Sequence, residues 1–199
     1  MSHLGSVIFV DSVHSVLWDR LQEMGWNCID KTSLSVEEAR REITNYQGIV
    51  IRSKFKLTRE VLSTCKDLKF IARAGSGLEN IDLIAAKEQG VEVISSPEGN
   101  RDAVAEHAMG MLLMLMNHLK RVDQEVRSGV WKRAENRGFE LKGKTIGLIG
   151  YGVMGKAFAE RLKGFGINII AYDKNKTGFS DDYTKEVSLT KLQEDSDIV

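Results

Sequence analysis

The sequence predicts an α/β protein of two doubly wound parallel-sheet domains, and three observations predict it. Short, β-rich apolar runs alternate with helix-patterned stretches along the chain. The alternation breaks once, at SSPEGNRD (95–102), a polar stretch that holds the only proline, Pro97. A second alternating unit then follows, with a glycine-rich turn between its first strand and helix. The break places a boundary near residue 100, giving domains over 1–99 and 100–199.

The elements follow in order. SVIFVD (6–11) is a strand, and SVLWDRLQEMG (15–25) is an amphipathic helix ended by Gly25. WNCID (26–30) and GIVIRS (48–53) are strands, separated by VEEARREITNY (36–46) at helical spacing. TREVLSTC (58–65) is a short helix, with Thr58 as N-cap because its hydroxyl can accept a free first-turn N–H. LKFIARAG (68–75) and VEVISS (91–96) are two more strands, flanking IDLIAAKEQG (81–90), a helix closed by a glycine. Past the break, 103–129 predicts one long helix, apolar in its first half and charged in its second. TIGLIG (145–150), a helix from Val153, NIIAYD (168–173), a short helix and a strand opening at DIV (197–199) complete the pattern. That last strand reads as the third of the second sheet, so the chain is expected to be the front part of a longer protein.

Composition narrows the function. Lys+Arg and Asp+Glu balance at 28 each, so no bulk field attracts nucleic acid or membrane, and a small-molecule function is favoured. No apolar run reaches the ~18 residues that span a bilayer. The opening MSHLGS lacks the basic start and apolar stretch of a signal peptide, which points to the cytoplasm. Cys28 and Cys65 have no ligand-like spacing and read as buried free thiols. No His/Cys/Asp/Glu cluster has metal-ligand spacing. His107 and His118 lie on roughly one face of the long helix, with an interior or interface role expected for His107. Met109, Met111, Met114, Met116 and Met154 read as core filler, and Trp131 as an anchor for a subunit contact.

KTIGLIGYGVMGKAFAERLKGFGINIIAYD carries the most chemistry. Gly150, Gly152 and Gly155 form G-x-G-x-x-G between an apolar strand and a helix. The first glycine permits the tight turn, the second lets a pyrophosphate approach the backbone, and the third lets helix and strand pack closely. N–H groups around Val153 and Met154 then face the diphosphate from the positive helix end. Asp173, 18 residues beyond Gly155, closes the next strand, where its carboxylate can accept from ribose hydroxyls and repel a 2′-phosphate. The motif therefore favours NAD over NADP, while the neighbouring Lys174 and Lys176 leave some NADP use open.

In the first domain IVIRSK and IARAGSGLEN end two strands with an arginine and a loop. Ligands collect at the carboxyl ends of strands in open parallel sheets, so Arg52 and Arg73 could face one anionic pocket. Ser53 and Ser76 add hydroxyl donors, and Gly75 and Gly77 bare backbone N–H groups. The bland alternative is two solvated arginines and a plain turn.

RAGSGLENIDLIAAKEQGVEVISSPEGNRDAVAEHAMGMLLML, then GVW, then LKGKTIGLIGYGVMGKAFAERLKGFGINIIAYD together resemble the D-isomer-specific 2-hydroxyacid dehydrogenases. Within them the arginine-bearing segments look most like the D-3-phosphoglycerate dehydrogenases of serine biosynthesis, where the matching arginines help hold the substrate phosphate. The resemblance implies a flavodoxin-like substrate domain, an NAD-binding Rossmann domain incomplete in this chain, and a cleft between them. It carries substrate contacts to Arg52, Ser53, Arg73, Ala74, Gly75, Ser76 and Gly77. It carries NAD contacts to Ser76, Gly150, Gly152, Val153, Met154, Gly155 and Asp173. Homodimers built through the long helix and the GVW region are also implied. The family's catalytic arginine, glutamate and histidine fall beyond residue 199, so no catalytic residue is nominated and the 199-residue piece is expected to show no turnover. Hydroxypyruvate or glyoxylate reduction is the alternative within the family. A corepressor-like protein that senses NAD(H) is the alternative of another class.

Overall fold

The computed structural model describes residues 4–199. It divides into two compact units, one ending at Gly99 and the other spanning Asn100–Val199, each with its own sheet.

The first unit alternates without interruption: β1 (Gly5–Phe9), α1 (Ser15–Glu23), β2 (Trp26–Asp30), α2 (Val36–Glu42), β3 (Gly48–Ile51), α3 (Arg59–Thr64), β4 (Phe70–Arg73), α4 (Leu83–Glu88) and β5 (Glu92–Ser95). All pairings are parallel, in the order β2-β1-β3-β4-β5. That order reverses direction between β1 and β3, the place where such sheets open a crevice at the strands' carboxyl ends. Period-two alternation sends Ile8, Ile49, Ile51 and Ile71 to one face, packed with Ala39, Ile43, Leu62, Ala85 and Ala86. Val7, Phe9 and Val50 point to the other face, against Leu21 and Trp18. Helix starts are set locally. Thr58 caps α3, Asp82 caps α4, and Ser35 with Glu38 forms a reciprocal capping box on α2. α1 is capped by His14, whose Nδ1 accepts from Val16 N–H at 3.2 Å.

The second unit holds α5 (Arg101–Met116), α6 (Leu119–Arg127), β6 (Thr145–Ile149), α7 (Val153–Leu162), β7 (Asn168–Tyr172), β8 (Thr184–Glu186) and α8 (Leu189–Asp195). Its parallel sheet runs β6-β7-β8. Several expectations are corrected here. The stretch 103–129 is two helices, because Asn117 ends the first with both its N–H and its side chain on the Leu113 carbonyl. His118 follows at φ +55°, the left-handed region where asparagine and histidine are tolerated better than branched residues. His107 and His118 therefore share no helix face, and His107 is exposed in this chain.

The third strand is β8, three residues reading Thr-Lys-Glu, while the DIV segment pairs through Ile198 with Ile146 of β6. Because Ile146 also pairs with Ile169 of β7, Ile198 lies on the opposite edge of β6. β8 carries too little apolar sequence to signal a strand, and only pairing with β7 reveals it. The methionines also divide. Met109 packs on the core of Ile146, Ile169, Ala171 and Leu162, but Met111 and Met114 are exposed. α5 is apolar around much of its circumference, so its surplus faces solvent.

Among the described residues, no helix is long and apolar enough to cross a membrane. Cys28 and Cys65 are both free and buried.

Candidate dinucleotide and anion sites

In the second unit β6 ends at Ile149 and the chain turns sharply into α7. Gly150 has φ +99°, where a side chain would strain the turn, and its N–H donates to the Tyr172 carbonyl at 2.7 Å. That bond ties the glycine turn to the end of β7. A Cβ on Gly155 would overlap the Gly150 carbonyl, so glycine there sets how closely α7 approaches the turn. A Cβ on Gly152 would meet nothing within 4 Å. This glycine is not needed for packing, and the bare space beside it is what an approaching phosphate requires. Gly152 is also the N-cap of α7 and offers no side-chain acceptor, unlike Ser35, Thr58, Asp82 and Ser188 at other helices. The first N–H groups of α7, around Val153 and Met154, are left without a side-chain cap and suit an anion.

Asp173 lies beside this turn. Its Oδ2 accepts from Tyr151 N–H at 2.8 Å and its Oδ1 from Asn175 N–H at 2.9 Å. These bonds, from Asn175 and then Tyr151, hold the carboxyl below the ordinary aspartate range. It is ionised at neutral pH, and each oxygen keeps a lone pair for a hydroxyl donor. Lys176 Nζ reaches the Tyr151 carbonyl at 3.4 Å. The glycines, the α7 N-terminus and Asp173 thus converge on one edge of the sheet and fit the diphosphate and ribose of a dinucleotide.

Tyr151 was not singled out by sequence. It is 1% exposed, and its hydroxyl meets Asp181 Oδ2 at 2.6 Å and Thr184 Oγ1 at 2.9 Å. Burial, then the Asp181 carboxylate, push its hydroxyl up to about 12. The side chain stacks on Phe179 and anchors the glycine turn to β8 and the loop before it.

In the first unit Ile51 and Arg73 are register partners at the ends of β3 and β4, so the two arginine loops are neighbours. Ala74 N–H donates to the Ile51 carbonyl at 2.9 Å, and Asn80 Nδ2 to the Arg52 carbonyl at 3.2 Å. Arg52 and Ser53 are exposed. Arg73 folds over its own loop. Gly75 has φ +157°, and a Cβ there would overlap the Arg73 guanidinium. The Arg73 Nε is buried without a hydrogen-bond partner, a donor left for a ligand or water. Neither Arg52 nor Arg73 forms a side-chain hydrogen bond or ion pair among the described residues. Gly77, Ser76 and Ala74 complete the loop, all partly buried. Two residues with no role assigned from sequence hold these loops, Asp11 and Asn80. Asp11 lies 41 positions before Arg52, so only the fold joins them. No group of three or more His/Cys/Asp/Glu side chains among the described residues could hold a metal ion.

A family model described as D-isomer specific 2-hydroxyacid dehydrogenase, catalytic domain, matches residues 7–194. The chain belongs to this dehydrogenase family. It is 38% identical over 167 residues to the D-3-phosphoglycerate dehydrogenase of Archaeoglobus fulgidus, which covers 84% of this chain and 32% of that protein. It is 40% identical over 168 residues to the hydroxypyruvate reductase of Thermotoga maritima, covering 83% and 54%. The chain therefore spans about a third to a half of these dehydrogenases' length. Among solved structures, the NAD-dependent formate dehydrogenase of Staphylococcus aureus in complex with NAD matches at TM-score 0.78 and 27% identity. That match covers 97% of this chain and 63% of the other. A 2-hydroxyacid dehydrogenase needs a dinucleotide-binding unit and an anion-binding unit, and the two residue sets described above have those characters.

Proposed function

We propose that the protein is an NAD-dependent oxidoreductase acting on the CH–OH group of a D-2-hydroxyacid, with D-3-phosphoglycerate as substrate. The observation that carries the substrate reading is the pair of uncompensated guanidinium groups at adjacent strand ends, Arg52 and Arg73. Two cations with no partner among the described residues suit a phosphate dianion better than a lone carboxylate. The likeness to a D-3-phosphoglycerate dehydrogenase supports the same choice. Ser53, Ala74, Gly75, Ser76 and Gly77 would line this site.

Gly150, Gly152, Gly155, Val153, Met154 and Asp173 are the residues that would hold NAD. Bound NAD supplies the nicotinamide that accepts or returns the hydride. This chain's residues bind and orient: α7 neutralises the diphosphate, and Asp173 accepts from the ribose hydroxyls. No proton-transfer residue is assigned. His14 is an N-cap, His107 is an exposed residue of α5, and His118 sits at the helix break; His3 lies outside the described residues. The 199-residue chain is accordingly proposed to bind its ligands without turnover.

The test is substitution of each arginine. Arg52→Ala and Arg73→Ala should each weaken binding of D-3-phosphoglycerate at least about tenfold, while NAD affinity stays within a factor of about two. Unchanged affinity for the phosphorylated acid would remove the substrate reading. The likeness to a hydroxypyruvate reductase favours a second reading, reduction of an unphosphorylated 2-oxoacid. It predicts that hydroxypyruvate competes better than D-3-phosphoglycerate.

A homodimer is also proposed. Met111, Met114 and Leu115 are exposed beside Lys120, Arg121 and Gln124, around a hollow of about 530 Å³. Trp131 is 78% exposed. An apolar centre with a charged rim and an aromatic anchor is the composition of a subunit contact. Two buried free thiols agree with a reducing, cytoplasmic compartment.

A further inference from the structure

The loop after β3 is tied down from three directions. The N–H groups of Arg52, Ser53 and Lys54 all donate to a single oxygen, Oδ2 of Asp11, at 2.6, 3.0 and 3.1 Å. Lys54 Nζ donates to the carbonyls of Val10 at 3.0 Å and Thr32 at 2.7 Å. Asn80 Nδ2 holds the Arg52 carbonyl from the neighbouring loop. Consecutive amides that converge on one point form an anion-binding nest. Here the chain fills the nest with its own carboxylate, brought from the end of β1.

We propose that Asp11 is a positioning residue for the substrate site: it occupies the 52–54 nest, fixes the origin of the Arg52 and Ser53 side chains, and leaves the substrate's anionic group to side-chain donors. An empty nest would compete with the Arg52 guanidinium for the same anion and would draw it down onto the backbone. Three charge-assisted bonds to one oxygen make that exchange unfavourable. Lys54 reinforces the arrangement, since its ammonium goes to carbonyls and makes no ion pair with Asp11 among the described residues. The Arg52 and Ser53 side chains, exposed and without partners among the described residues, are then the groups that meet a ligand. This inference rests on the assignment of Arg52 to the substrate anion.

The experiment follows the three amides by two-dimensional 15N–1H NMR in the 199-residue chain, with sodium acetate and D-3-phosphoglycerate as probes. In the unsubstituted chain acetate should leave the Arg52, Ser53 and Lys54 amides unmoved. In Asp11→Ala acetate should shift all three saturably. D-3-phosphoglycerate affinity should fall about tenfold in that variant and recover as acetate fills the nest. Asp11→Asn keeps a neutral acceptor and should lose only about threefold. If Asp11→Ala does not fold, Asp11→Asn carries the test, and its unchanged affinity overturns the proposal. Acetate shifts of equal size with and without Asp11, or full substrate affinity in Asp11→Ala, also overturn it. Arg52→Ala separates the two readings. If it binds D-3-phosphoglycerate unchanged, the substrate assignment falls and the inference with it. If it weakens binding while Asp11→Ala does not, only the role of Asp11 falls.

Discussion

Gly152 and Gly155 are three residues apart in one motif, yet the geometry gives them opposite consequences. Gly155→Ala places a Cβ against the Gly150 carbonyl, which is backbone and cannot turn aside. Either α7 shifts or the turn opens, and overpacking of this kind costs about 1–3 kcal/mol. For a unit of this size that corresponds to roughly 4–8 °C in Tm per kcal/mol. Gly152→Ala meets no atom within 4 Å, and its backbone at φ −85° and ψ −154° is extended, with no positive φ to strain an alanine. The structural cost is then an alanine at an N-cap, no more than about 1 kcal/mol. The new methyl group, however, stands where a diphosphate would approach α7. Loss of one or two charge-assisted hydrogen bonds there weakens NAD binding about 10- to 1,000-fold. Calorimetry of both variants, with NAD titration at a temperature where each is folded, measures the two effects separately. Full NAD affinity in Gly152→Ala, or a lower Tm in Gly152→Ala than in Gly155→Ala, would refute the assignment of roles.

Three further expectations are open to direct measurement. Tyr151→Phe deletes a buried hydroxyl that meets Asp181 and Thr184, and should lower stability by about 1–3 kcal/mol in thermal unfolding; an unchanged Tm would mean that water replaces the network. The lowered pKa of Asp173 means its proton binds only below the ordinary aspartate value of 3.8, so NAD affinity should be flat between about pH 6 and 8 and fall only in acid. Its stability contribution has the same sign, present above that value and lost as pH falls through the depressed pKa, and a fall in NAD affinity already near neutral pH contradicts it. In the proposed homodimer, Leu115→Lys, at a side chain 71% exposed, should shift sedimentation from dimer to monomer; a dimer that persists moves the contact elsewhere.

The first sheet was legible because its central strands β1 and β3 are largely buried and its helices short, capped and amphipathic. Ile8, Ile49, Ile51 and Ile71 announce themselves as apolar runs, and Thr58 announces its helix. The second unit was less legible. β8 is Thr-Lys-Glu, and it becomes a strand only because β7 offers it a partner. The helix break at His118 escaped notice because apolar spacing continues across it, while the event that ends α5 is a polar contact to one carbonyl. Met111 and Met114 read as core because hydropathy does not tell a buried face from one left for solvent or another surface.

Sequence by itself determined the family, the glycine turn and its acid, and the two arginine-ended strands, because these depend on residue types at short, regular spacings. Only the tertiary structure decided what holds those groups. Asp11, just past β1, reaches the amides after β3, Asn80 reaches the Arg52 carbonyl, and Tyr151 reaches across to β8. Parallel sheets join each strand to neighbours dozens of residues away, so the bonds that orient a strand-end loop have no local signature. The same cause put Ile198 beside β6 and not beyond β7, a placement set by the order of strands in space.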